Sequence, residues 1–228
     1  LRSKAFFAGR TEWDSTVLSL INPSAIYYRL EEVLRRPFYE AEWRRETSDP
    51  RVVFCTSSTM LPKRAETLIE ALALLRDAGH GDLRLRIAGI PDDTPTHSYH
   101  VALARKYDLG VQLDSLGRLD ATQLAAELRR ACVFAYPSHV DNSPNALCEA
   151  LLVGIPSVAS YVGGIPSLVT DDRDGLLYPD GDAYALAGKI HRLLRNPSKA
   201  ADLGQRARQR ALRRHDPASI ASTLLDVY

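Results

Sequence analysis

Cysteine is scarce in this 228-residue chain: Cys55, Cys132 and Cys148 are the whole supply. An odd, widely spaced set in apolar surroundings does not build a disulfide framework, so reduced thiols in a core are expected. That points to a reducing, cytoplasmic compartment. No Cys or His pair stands at the spacing of a zinc site. No apolar run approaches the roughly 20 residues that cross a bilayer. An excess of one charge is missing too, since 29 Lys and Arg against 28 Asp and Glu leave a formal net charge of +1. Nothing therefore calls for nucleic acid or an acidic partner. The arginines between Arg206 and Arg214 read as a solvated helix face. Neither a glycine-rich dinucleotide fingerprint nor a P-loop occurs. The remainder, 45% hydrophobic and 25% charged residues, is ordinary for a globular protein. The length suits one α/β domain, or one domain with part of another.

From residue 51 onward the pattern alternates. Arg51 to Thr56 (RVVFCT) reads as a strand. A helix follows over 61–78, with Leu61, Ala65, Leu68, Ile69, Leu72 and Leu75 at helical spacing. A strand over 83–88 alternates apolar residues with Arg. Next come a helix over 96–107, a strand near 111–116, and a helix from Asp120, its N-cap, to Arg130. Ala131 to Tyr136 reads as a buried strand. Beyond 170 an edge-like strand over 175–178 precedes a helix capped by Asp182, another helix to about His215, and a last one from Ala218. This alternation predicts an α/β fold with a Rossmann-like, doubly wound parallel sheet. Residues 1–48 differ. They hold both tryptophans, breaks at Asn22-Pro23 and Arg36-Pro37, and a helix capped by Thr11 with Asp14 three residues on. The polar stretch from Glu46 to Pro50 divides 1–48 from 49–228.

The chain is organised around residues 137–169. Ser143 is expected to cap a helix with Pro144 in its first position, and Gly154 to end it. Residues 156–160 form the next strand, and Gly163-Gly164 turns into a short helix at Pro166. In a parallel sheet both helix N-termini lie at the carboxyl ends of strands, where ligands bind and where free N–H groups attract phosphate. Asp141 and Glu149 add carboxylates, which repel phosphate but accept hydrogen bonds from paired hydroxyls. The combination suits a sugar nucleotide.

This stretch resembles the donor signature of family 4 (group 1) retaining glycosyltransferases of the GT-B fold. In that family an acidic residue and a Glu are separated by seven residues; here they are Asp141 and Glu149. Gly154-Ile155-Pro156, Gly163-Gly164-Ile165-Pro166 and Asp174 to Pro179 also match family landmarks. The resemblance implies a C-terminal donor domain at 49–228, including the C-terminal helix. It makes 1–48 the end of an N-terminal acceptor domain and its linker, with most of that domain upstream of Leu1. It implies transfer of a sugar from a nucleotide sugar with retention and without metal. Lys63 is then the counter-charge for the diphosphate, Asp141 the contact to the donor sugar, and Glu149 the acceptor for the ribose hydroxyls. Asn142, Ser143, Pro144, Asn145 and Ala146 would line the sugar and phosphate, Gly117, Arg118 and Leu119 would hold the base, and Arg10 would enter the cleft.

No cofactor is implied beyond a UDP-, GDP- or ADP-sugar. The expected partners are this donor, a sugar, polysaccharide or lipid-linked acceptor, and the N-terminal domain. Peripheral membrane association is open to a longer chain. The chain departs from the pattern at three places. Asp141 stands where Glu is usual, Arg64 where Gly is usual, and Ser58 where an Arg is common. The plainer alternatives are a capped turn at 141–145, a solvated Lys63 and a dipole-favoured Glu149. A sugar-nucleotide epimerase or phosphorylase of the same fold, or a non-catalytic binding module, would also fit. An epimerase would be expected to show a different set of acidic and His residues.

Overall fold

A computed structural model of the chain describes residues 5–59 and 63–227. The first unit is β1 (Phe6–Gly9), α1 (Glu12–Ile21) and β2 (Ile26–Arg29), with the two strands paired in parallel. The helix begins as expected. The Thr11 hydroxyl accepts the Asp14 N–H at 3.3 Å, and the Asp14 carboxylate accepts the Thr11 N–H at 3.0 Å, a reciprocal cap. The two strands were not legible: each is four residues long, and Phe6 and Phe7 are exposed, so neither carries an inside–outside alternation.

After α2 (Arg36–Glu40) the main sheet begins with β3 (Asp49–Thr56). There follow α3 (Ala65–Asp77), β4 (Arg84–Ala88), α4 (Pro95–Lys106), β5 (Leu113–Ser115), α5 (Ala121–Arg130) and β6 (Ala131–Tyr136). Then come α6 (Asn145–Val153), β7 (Ser157–Ser160), α7 (Ile165–Leu168), β8 (Leu176–Tyr178), α8 (Ala183–Arg195), α9 (Pro197–Arg214) and α10 (Pro217–Val227). The helix expected over 61–78 is found from Ala65, and Leu61 and Tyr228 lie outside the described residues.

The six strands are all parallel, in the order β5-β4-β3-β6-β7-β8. This is the expected doubly wound sheet. Successive residues of a strand point to opposite faces, which divides the core in two. Val53, Cys55, Val133 and Ala135 pack with α3 and α8 on one face. Val52, Phe54, Phe134 and Tyr136 pack with α5, α6 and α9 on the other. Leu34, Phe38 and Ala41, from the connector ahead of β3, join this second layer. Trp43 is tied there as well, its indole donating to the Ala131 carbonyl at 2.7 Å. The edge strand β8 is wholly buried. Of the two arginines in β4, Arg84 is exposed, whereas Arg86 donates twice to Glu127 at 2.8 Å and once to Asp114 at 3.1 Å. The cysteines are free thiols, and burial pushes Cys55 and Cys148 up to about 12. Among the described residues no helix is long and apolar enough to cross a membrane.

Candidate functional site

Strand order reverses between β3 and β6, since the chain builds outward to β5 and then returns to the other side of β3. Such a reversal opens a crevice beyond the carboxyl ends of the two strands. Glycines draw its walls together. Gly89, just after β4, has φ +101°, and a Cβ there would fall 2.2 Å from the Ser57 carbonyl oxygen. Its N–H donates to the Gly117 carbonyl at 2.6 Å. A pocket of about 310 Å³ lies here, lined by Phe54, Phe134, Ala88, Leu119 and Leu124. Polar groups join its lining from Arg35, Arg118, Asn145 and Glu149. Of the residues expected to hold a base, Arg118 and Leu119 line this pocket, and Gly117, at φ +60°, makes the turn before them.

Glu149 sits on α6, its side chain 4% exposed. Its two oxygens each accept from Arg35, through Nε and Nη2, both at 2.8 Å. Burial pushes the Glu149 carboxyl above the usual carboxylate range; Arg35 pulls it back and the charge of Glu32 pushes it further up. Arg35 carried no signal in the sequence, because its partner is 114 residues away.

Asp141 and Lys63, 78 residues apart, meet at 2.5 Å. Tyr136, at the end of β6, sits between them. Its hydroxyl accepts from the Lys63 ammonium and donates to the Asp141 carboxylate, both at 2.6 Å. Burial, then the charge of Asp141, push that hydroxyl far above its ordinary range, so it stays a donor. In the sequence Tyr136 stands out only as the last residue of a buried strand.

The helix after this loop starts one residue later than expected. Pro144, with φ −68° and ψ 120°, is the N-cap, and its carbonyl accepts from the Leu147 and Cys148 N–H groups at 3.1 Å. Ser143 is thereby turned inward and buried, its hydroxyl 4.0 Å from the Cys148 sulfur, so it caps nothing. A proline side chain cannot accept a hydrogen bond, which leaves the first turn of α6 open. The N-cap of α3, Arg64, makes no side-chain cap either. By contrast Thr94, Asp120 and Asp182 cap α4, α5 and α8 with their side chains. The α2, α7 and α9 starts also lack a side-chain cap, but those of α3 and α6 are the ones that flank the strand-order reversal, where anions are favoured.

The remaining expected residues gather at the rim. Asn145 donates to Glu32 at 2.6 Å and accepts from Arg10 at 3.3 Å, and Arg10 also pairs with Glu32. Ala146 lines the pocket beside Glu149. Asn142 ties the loop to the N-terminal unit, accepting from Thr11 at 2.5 Å and donating to Asp14 at 2.6 Å. Gly163-Gly164 press on this loop from behind: a Cβ at either would fall 2.0 or 2.2 Å from the Asp141 or Asn142 carbonyl oxygen. His139 pairs with Asp180. Among the described residues no three His, Cys, Asp or Glu side chains come together as a metal site.

Comparisons with known proteins bear on this geometry. The family profile for glycosyl transferases group 1 matches residues 40–210. Over 200 residues the chain is 28% identical to the glycogen synthase of Mycobacterium tuberculosis, covering 86% of this chain and 47% of that protein. It thus spans about half the length of the curated relative it matches. Among solved structures, sucrose-phosphate synthase from Thermosynechococcus elongatus superposes with a TM-score of 0.86 at 23% identity, over 98% of this chain and 57% of that one. Anabaena HepE, solved with UDP-glucose, superposes with a TM-score of 0.82 at 17% identity, over 99% of this chain and 64% of that one.

Proposed function

The chain belongs to the group 1 glycosyl transferases, and on that premise we propose that residues 49–228 are the donor half of a GT-B hexosyltransferase. It takes a nucleotide sugar and passes the sugar to an acceptor with retention and without a metal ion. The observation that carries the proposal is the pocket at the strand-order reversal, with Glu149 at its edge and two uncapped helix N-termini beside it. The nucleoside enters the pocket with its base against residues 117–119, and Glu149 accepts the ribose hydroxyls. The diphosphate lies over the starts of α3 and α6. A protein of similar fold was solved with UDP-glucose, which supports a nucleotide-sugar donor.

Lys63 has its charge matched by Asp141 in the free protein, so it offers little net charge to an approaching anion. A diphosphate with more negative charge competes for the ammonium. As Lys63 turns toward the leaving group, Asp141 keeps the Tyr136 hydroxyl and gains a free lone pair for a hydroxyl of the donor sugar. The site thus exchanges one ion pair for another and places the carboxylate beside the sugar. Charge that develops on the departing diphosphate is met by amide dipoles already in place. With retention, the acceptor oxygen arrives on the face that the diphosphate leaves, so the acceptor must be held above the crevice. Residues 1–48 supply only a small unit there, and this chain alone is expected to bind a donor but transfer weakly. Efficient turnover of a defined acceptor by this chain alone would refute that part.

Calorimetric titration with UDP, GDP and ADP tests the reading. One nucleotide is expected to saturate the site, and Glu149→Ala to weaken it about tenfold or more, the loss of hydrogen bonds to a charged group. If a folded sample takes none of the three, the pocket serves something other than sugar transfer.

A further inference from the structure

We propose that Arg35 is a positioning residue for Glu149, aiming the carboxylate into the pocket and supplying its counter-charge from the connector ahead of β3. The inference rests on the reading of Glu149 as acceptor for a nucleotide's hydroxyls.

Glu149 needs such a partner. It stands in the second core layer between Cys148 and Ala150, both buried. An ionised carboxylate so placed is costly without a counter-charge, and a protonated one loses acceptor capacity. The guanidinium meets this need in a particular way. It binds one carboxylate oxygen through Nε and the other through Nη2, and a planar fork of this kind fixes the plane of the carboxylate. One lone pair on each oxygen is used and one on each remains, which matches two neighbouring hydroxyls.

The base of the fork is itself held. Arg35 is the N-cap residue of α2, and its guanidinium carbon lies 4.9 Å from the centre of the Phe38 ring. Phe38 is fully buried, and α2 packs on α5 and α6. The connector is thus anchored to the domain that carries Glu149. Two other charged groups face the carboxyl. Glu32 opposes its ionisation, and Arg118 lines the same pocket. Burial and Glu32 both act toward the neutral form, and Arg35 is the group that opposes them.

Charge and orientation separate by substitution. Arg35→Gln removes the charge, whereas Arg35→Lys keeps it and gives up the fork. The side chain is half exposed, so both variants are expected to fold, which a thermal melt checks. The nucleotide that binds the wild type is titrated into all three proteins between about pH 5.5 and about pH 8, and the Glu149 carboxyl is followed by carbon NMR without ligand. Arg35→Gln is expected to move the Glu149 titration upward. Its nucleotide binding should weaken about tenfold more at the acid end than at the alkaline end, relative to wild type. Arg35→Lys should keep the wild-type pH profile with affinity lowered evenly across it. An unmoved Glu149 titration and an unchanged pH profile in Arg35→Gln would overturn the inference and leave Arg35 as a surface ion pair. If the wild type binds no nucleotide, the reading of the site fails, and the carboxyl titration still decides whether Arg35 governs Glu149.

Discussion

Arg64 occupies the left-handed region, φ 45° and ψ 40°, immediately before α3. This is where the resemblance calls for Gly, and the departure now has a physical reading. A side chain in that conformation costs roughly 1–2 kcal/mol, and among the described residues its side chain pairs only loosely, with Asp180 at 3.9 Å. Arg64→Gly is therefore expected to stabilise the fold by about 0.5–1 kcal/mol after the glycine's own entropy cost. Denaturant unfolding measures it, and a fall in stability would show the Asp180 contact to be worth more than the strain. Glu149 carries the opposite tension. Its folded-state titration lies above the unfolded one, so its contribution to stability is present at acid pH and is lost as pH rises through the folded value. Glu149→Gln should raise the melting temperature at neutral pH, with a gain that shrinks as the medium is acidified, while nucleotide binding falls. A gain independent of pH would mean that the carboxyl's charge is not the cause.

Two helical glycines show how packing between elements overrides local propensity. Gly188 in α8 has nothing within 4 Å of where a Cβ would stand, so Gly188→Ala should stabilise by about 0.5–1 kcal/mol. Gly204 in α9 would place its Cβ 2.2 Å from the Gly154 carbonyl oxygen at the end of α6. Gly204→Ala should cost about 1–3 kcal/mol despite the better helix former, and should disturb α6, which carries Glu149. Thermal melts of the two variants give opposite signs if this packing is right; equal effects would discard it. The caps follow a similar rule. Thr11, Asp120 and Asp182 were legible as caps because the interaction spans three residues. Ser143 was misplaced because Pro144 keeps an extended ψ in the fold, and the sequence motif is satisfied by either start.

At the largest scale the chain joins a six-stranded parallel sheet with its helices to a small N-terminal unit. Arg214 of α9 holds that unit, donating to Glu31 at 2.9 Å and to the Arg10 carbonyl at 2.8 Å. The N-terminal unit leaves apolar surface uncovered, with Phe6, Leu20 and Ile21 at 62%, 84% and 74% exposure. The last helix, α10, buries no residue and exposes Leu225 at 78%. Apolar surface of this kind favours contact with other protein. Sedimentation velocity is expected to show concentration-dependent self-association, relieved by Leu20→Glu with Leu225→Glu. A monomer at all concentrations would mean that these side chains cover one another in solution.

Alternation of short apolar runs with helical periods determined the doubly wound sheet from the sequence alone, because each signal lies within a few residues of chain. The same holds for the Asp141 and Glu149 spacing and for the glycines that turn beside them. The tertiary structure decided what those groups touch. Lys63 reached Asp141 across 78 residues, and Arg35 reached Glu149 across 114. Tyr136 became part of the site only because β6 ends at the strand-order reversal. A residue's type and its near neighbours carry its local conformation, but a buried charge takes its partner from whichever distant element the sheet order brings alongside.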